Sequence, residues 1–323
     1  MSKWFTNCAV TIGTLAVALG SASVTGQTWP QRPVKVVVPF VAGGNTDNQA
    51  RIVSERLSAV LGQQFIVENR VGAGGGIAAE YVAKAPPDGY TLFFAASPLF
   101  SLPLIQKVNF DPFKDFAPIS MIGTNAFVLG VHISVPATTL KEFVDYVKAR
   151  PGQLNYSSGG TGTTSHLAPA LFLARAGLTM THIPYKGGAQ AVADLVGGQV
   201  QMQMGNASEQ IQYSKTGKIR MLAVTAEKRI PQLPDVAAIA ETYPGFRAIT
   251  WNGYLAPAGT PKALIDHFAP VIIKVVHEPA VVTRLSNMGV DALGNTPDEM
   301  ADYLRRDDLV WRAAVKAAGI KLE

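Results

Sequence analysis

The chain has 323 residues, 48% of them hydrophobic and 16% charged, enough apolar material for one large domain or two modest ones. Its formal net charge is +5, yet no run of Lys and Arg with interleaved aromatics occurs, which argues against nucleic acid as a partner. A single cysteine, Cys8, leaves nothing for an internal disulfide.

Lys3 precedes an apolar run from Cys8 to Leu19, followed by the small and polar residues Gly20 to Gln27. This order predicts a cleavable secretory signal peptide over residues 1–26. The apolar run is too short for a spanning helix. An uncleaved membrane anchor is the alternative. Cleavage after Ser23 or Gly26 would remove the cysteine and leave an exported, thiol-free chain, as expected for a bacterial periplasm.

The segment Val34-Lys35-Val36-Val37-Val38 reads as a buried strand bounded by Pro39. A glycine-rich turn, Pro39 to Asp47, follows it. A helix is predicted over 48–61 from Ile52, Val53, Leu57, Val60 and Leu61, with Asp47 or Thr46 as its N-cap. A strand over 65–69, the turn Gly72 to Gly76, a short helix over 77–83 and a strand over 90–96 continue the alternation, which implies parallel strand pairs. A long strand over 118–131 carries Gly123-Thr124-Asn125, a candidate crossing between lobes. The second unit comprises helices over 140–149, 166–176 and 189–196 and strands over 154–156, 180–183, 200–204 and 219–225. A strand over 251–257 and helices over 262–277, 280–288 and 297–318 complete the chain. The expected architecture is therefore two α/β lobes. Residues 27–123 and 226–323 form a discontinuous first lobe, and residues 124–225 the second. Two crossings make a hinge with a cleft between the lobes.

A second glycine-rich turn, Asn155 to His166, faces the first in this scheme. Each turn runs from a strand into a helix and so directs free N–H groups and a helix dipole at one point. Two such turns would clamp a small anion beyond the carboxyl ends of the strands. Gly74-x-Gly76-x-x-Ala79 formally matches a dinucleotide fingerprint, but no acidic strand end lies at the required distance, and a tight turn explains it better. The Gly159–Thr164 run lacks the Lys of a nucleotide-binding loop. No Gly-x-Ser-x-Gly elbow occurs. The five histidines have no metal-ligand spacing, and no cofactor is indicated. Tyr185-Lys186-Gly187-Gly188 is either a third wall of the cleft or an ordinary strand–helix turn.

Several ordered motifs resemble one family. They include Trp29-Pro30-x-Arg32-Pro33, Pro39-Phe40-x-Ala42-Gly43-Gly44-x-x-Asp47, Val67-Glu68-Asn69-Arg70 and Pro87-Asp88-Gly89-Tyr90-Thr91. Asp111-Pro112-x-Lys114-Asp115-Phe116-Ala117-Pro118, the turn from Ser157 to Leu167, Ile183-Pro184-Tyr185-Lys186-Gly187 and Asp194 to Val200 follow in order. Leu222 to Thr225, Ala256 to Pro261 and Lys316 to Ile320 close the series. Together they resemble the extracytoplasmic solute receptors of tripartite tricarboxylate transporters, called Bug receptors in Bordetella-like bacteria. The resemblance implies a two-lobed periplasmic binding protein, type II-like, without enzymatic activity. Such a receptor closes on a ligand and presents it to integral-membrane permease subunits. It also implies small carboxylate ligands, from di- and tricarboxylates to acidic amino acids and aromatic acids. In the family, the loops matching Phe40–Asp47 and Ser157–Thr164 hold a ligand carboxylate, partly through water.

On this basis Gly43, Gly44 and Asn45 are expected to donate from the first lobe. Ser158, Thr161, Thr163 and Thr164 are expected to donate from the second, with Gly159 between them. Asp47 and His166 would cap helices and hold the loops, while Phe40 and Tyr185 would wall the cleft. Two departures from the family pattern concern cleft segments. Gln201 and Gly205, beside Asn206, stand where many relatives have Asp, and the loop from Ser97 to Leu104 differs in composition. Ser97 and Asn206 join the candidate set, and these changes favour a less charged or more apolar ligand. Two rival readings are a sensor signalling to a membrane kinase and an exported hydrolase using Ser158 or Ser165.

Overall fold

The computed structural model describes residues 29–317 and residue 320; the signal peptide expected over 1–26 lies outside the described residues. Strand β1 (Val34–Val38) is almost wholly β-branched and is buried on both faces, as parallel sheets require. Val34, Val36 and Val38 enter one hydrophobic cluster and Val37 enters another on the opposite face. Helix α1 (Asn45–Leu61), strand β2 (Phe65–Asn69), helix α2 (Gly76–Ala83) and strand β3 (Thr91–Ala96) follow. β2 and β3 flank β1, both parallel to it.

A short helix α3 (Pro98–Ser101) leads to strand β4 (Phe116–His132), which is 17 residues long and runs through both lobes. The second lobe contains helix α4 (Leu140–Lys148), strand β5 (Asn155–Ser158), helix α5 (Thr164–Ala176), strand β6 (Thr181–Pro184), helix α6 (Gly188–Val196) and strand β7 (Met202–Asn206). Helix α7 (Ala207–Lys215) and strand β8 (Ile219–Val224) complete its regular elements. Strand β9 (Ile249–Pro257), helices α8 (Lys262–Val276) and α9 (Pro279–Ser286), strand β10 (Val290–Ala292) and helix α10 (Pro297–Ala317) return to the first lobe.

The strand order is β2-β1-β3-β9-β4-β7-β5-β6, with β8 and β10 also paired to β4. β9 is antiparallel to both β3 and β4, whereas β5 pairs in parallel with β6 and β7. The fold is thus α/β and two-lobed. Each lobe has its own core: β1, α1 and α8 build the first, and the buried faces of β4, α4 and α5 build the second. Among the described residues no helix is long and apolar enough to cross a membrane.

Ile239, Phe246 and Ala248 pack into the core of the second lobe, so residues beyond 226, assigned to the first lobe, contribute to the second. Thr225 ties the two crossings together. Its hydroxyl accepts from Phe127 N at 2.8 Å and donates to Ala248 O at 2.5 Å. Helix α10 straddles the lobes: Met300 and Leu304 sit in a first-lobe cluster, Trp311 and Val315 in the second-lobe core.

Candidate functional site

Four helices aim their N-termini at one cavity between the lobes. The cavity has a volume of about 50 Å³. From the first lobe come Gly44, Asn45 and Thr46 at the start of α1. From the second come Thr163 to Ser165 at α5, Gly188 at α6, and Asn206 with Glu209 at α7. Phe40, Pro98 and Phe127 supply apolar walls, and Gln203 and Thr250 supply polar ones from β7 and β9. The described lining residues include no Lys, Arg or His, and Glu209 is the one ionisable group among them.

The two glycine turns share one construction. Helix α1 starts at Asn45, three residues before the predicted start, with Gly44 as its N-cap. Asp47 is therefore not the N-cap but the third helical residue, and its carboxylate reaches back to accept from Gly43 N at 2.9 Å. Helix α5 starts at Thr164 with Thr163 as N-cap, and the third residue, His166, accepts from Gly162 N through Nδ1 at 3.2 Å. In both turns the third side chain satisfies a backbone donor just outside the helix and so braces the turn. Asp47 also accepts from Arg51 Nε at 2.9 Å and Asn69 Nδ2 at 2.8 Å. Burial opposes its charge, but these donors outweigh burial and hold its carboxyl below the usual range.

Of the candidate residues, Phe40, Gly44, Asn45, Gly159, Thr163, Thr164 and Asn206 line the cavity. The others stand behind it. Gly43 and Asp47 shape the first turn. Ser97 is buried and shares a hydrogen bond with Thr250 Oγ1 at 3.1 Å, behind the wall formed by Ala96 and Pro98. Ser158 is buried and bonds His182 Nε2 at 2.6 Å, away from the cavity lining. Thr161 meets the first lobe outside the cavity: a Cβ on Gly74, which has φ +61°, would lie 2.4 Å from Thr161 O. The Gly74 turn therefore allows the second turn to press against the first lobe, which explains the glycines without a dinucleotide. Tyr185 donates to Asp194 Oδ2 at 2.5 Å and does not wall the cavity; the cavity-facing member of its turn is Gly188. Gln201 accepts from Asn155 N at 2.8 Å and also lies off the cavity, which corrects its expected place there, while Gly205 does line it.

Sequence reasoning missed Thr46, Gln203, Glu209 and Thr250 as lining residues. For Glu209 a signal existed. Asn206 followed three residues later by Glu is a helix-start pattern, and α7 begins there.

Several buried polar atoms at the cavity have no protein partner. Asn45 Nδ2, Thr164 Oγ1, Gln203 Nε2 and Glu209 Oε2 are all in this state. Buried polar groups are normally paired, so these four are available to bond a ligand. Around it the lobes touch directly. Asn45 N donates to Glu209 Oε1 at 3.1 Å, Ser208 Oγ donates to Asn45 Oδ1 at 3.0 Å, and Ser101 Oγ donates to Gly162 O at 2.7 Å.

The His166 and His182 rings stack with centroids 4.0 Å apart. Burial holds His166 down to about 4; burial, with the neighbouring ring, holds His182 down to about 3. An unfolded histidine titrates near pH 6.5. As the pH falls below that value, the unfolded chain takes up protons that the fold refuses, so stability falls with pH. At pH 5 the cost is up to about 2 kcal/mol for each histidine. The Tm of His182→Gln relative to wild type should therefore rise as the pH is lowered from 7 to 5; a difference that does not change with pH would contradict this account.

The fold is that of a two-lobed α/β solute-binding protein, with the cavity between the lobes. Residues 49–320 match the Tripartite tricarboxylate transporter family receptor (TctC) model, and the chain belongs to that family. It is similar to an R. palustris protein solved with adipate: 34% identity, 91% of this chain and 100% of that one, TM-score 0.89. The periplasmic binding protein BugD is similar over 91% of this chain and 100% of its own, at 33% identity and TM-score 0.88. MatC from Rhodopseudomonas palustris with bound malate shows 31% identity over 89% of this chain and 100% of its own, with a TM-score of 0.85.

Proposed function

We propose that this protein is a periplasmic receptor that captures a small organic carboxylate between its lobes and presents it to the membrane permease of a tripartite tricarboxylate-type transporter. The observation that carries the reading is the convergence of four helix N-termini on a cavity with unpaired donors, Asn45 Nδ2 and Thr164 Oγ1. Helix N-termini favour anions, and neutral donors hold a carboxylate without the desolvation cost of a buried cation. Two relatives of the same fold were solved with dicarboxylates, adipate and malate, which supports an acid as ligand. The family supports the permease as partner, and the basic, apolar N-terminal segment supports export.

Thr164 provides a clean test. Its hydroxyl has no partner in the protein, so Thr164→Val removes a ligand donor without breaking an internal bond. A carboxylate at 100 times its Kd should stabilise the wild type by about 2.7 kcal/mol, a shift of a few degrees in Tm. In Thr164→Val the unliganded Tm should hold, while affinity falls by about tenfold, the worth of one hydrogen bond to a charged group. Thr163→Val should behave differently. Thr163 Oγ1 donates to Gly160 O at 2.7 Å, so its loss destabilises the fold as well. Unchanged carboxylate affinity in Thr164→Val would count against the site.

A further inference from the structure

The cavity holds an acid that a receptor for plain carboxylates does not need. Glu209 lies on the first turn of α7, buried at 8% exposure, with Oε1 accepting from Asn45 N across the cleft. Oε2 has no hydrogen-bond partner, and no described cation lines the cavity. The position is built into the packing. A Cβ on Gly188 would lie 2.3 Å from Glu209 Oε2 and 2.4 Å from Oε1, so glycine at the start of α6 makes room for this carboxyl group.

Two features of the surroundings favour the charged form. Asn45 N–H donates to it, and the N-terminus of α7 lies beside it. What is missing is a positive group. Burial without a cation raises the carboxyl above its usual range, against the pull of Asn45 and Asn206. A ligand bearing only carboxylates would add like charge next to it.

We propose that Glu209 Oε2 receives the ammonium group of the ligand, so that this receptor takes amino acids in which ammonium and carboxylate lie close together. The inference rests on the carboxylate-receptor reading above and narrows it. The close spacing follows from Asn45. Its backbone N–H holds Glu209, while its side-chain Nδ2, free of protein partners, belongs to the same cavity as Thr164 Oγ1, the other donor assigned to the carboxylate. Both subsites are thus fixed by one residue, which suits an α- or β-amino acid and not a long ω-amino acid.

The test uses matched probes that differ in one group: aspartate, malate and succinate; leucine, 2-hydroxy-4-methylpentanoate and 4-methylpentanoate; phenylalanine, 3-phenyllactate and 3-phenylpropanoate. Titration calorimetry on the wild type should show, in at least one set, the amino member binding about tenfold or more tighter than its deoxy counterpart. In Glu209→Gln, which keeps the side-chain shape but removes the charge, that preference should vanish: the amino member loses its partner, and the deoxy acid no longer meets a like charge and binds at least as tightly as to the wild type. Equal or tighter binding of the deoxy or hydroxy acid by wild type overturns the inference and leaves the carboxylate reading in place. So does an amino preference that survives in Glu209→Gln. Failure of all nine acids to bind overturns the carboxylate reading and this inference with it. The wild-type comparison decides even if the variant does not fold.

Discussion

Gly188→Val is expected to abolish carboxylate binding. The new side chain would start within 2.5 Å of the Glu209 carboxyl, which cannot swing away freely because Asn45 N holds it from the opposite lobe. Either the valine pushes Glu209 out of place and breaks that contact, or its methyl groups fill the cavity. Both outcomes remove the space where the four helix starts meet. Overpacking of this kind costs about 1–3 kcal/mol of stability, so the variant should still fold. Affinity for acids should fall at least about 100-fold, equivalent to ~2.7 kcal/mol. Calorimetric titration with any acid that binds the wild type checks this, and wild-type affinity would place the site elsewhere.

Trp251→Ala should be the most damaging single change to stability. Trp251 on β9 is fully buried, packs against Phe100 and donates from its indole N–H to Asp307 Oδ2 at 3.0 Å. Asp307 belongs to α10, the helix that joins the cores of both lobes. Burial pushes the Asp307 carboxyl up to about 6, and the indole is one of the groups that restrain it. Removing the indole therefore leaves both a cavity and a buried acid with one donor fewer. The expected loss is about 3–5 kcal/mol, a large share of the ~5–15 kcal/mol typical of folded domains. Urea unfolding monitored by circular dichroism measures it, and a loss below about 1 kcal/mol would show that β9 and α10 are not coupled in this way.

Local signals made the strands and most helices legible. Val34 to Val38 is a β-branched run closed by Pro39, and β1 has those limits. The sequence Asn206-Ala207-Ser208-Glu209 is a weak periodic signal because helix α7 carries few apolar residues, although its capping signal is clear. The boundary at residue 226 could not be read locally. Phe246 and Ala248 follow a stretch with little regular pattern, and only packing in the second-lobe core assigns them.

The site divides in the same manner. Glycine-rich turns announced where α1 and α5 would begin, and the cavity lies there. Which side chains face inward depended on helix starts shifted by two or three residues, and this moved Asp47 and His166 from capping positions to bracing ones. Gln203, Thr250 and Glu209 enter from strands and a helix distant in sequence, through contacts no local spacing encodes.

The central claim is that a ligand carboxylate sits at the meeting point of the helix N-termini. A crystal structure of the protein with whichever acid binds it most tightly tests this directly. The account predicts carboxylate oxygens within hydrogen-bond distance of Asn45 Nδ2 and Thr164 Oγ1, or one water away, with both lobes in contact with the ligand. A carboxylate directed away from these atoms, or a ligand bound outside the cavity, would contradict it.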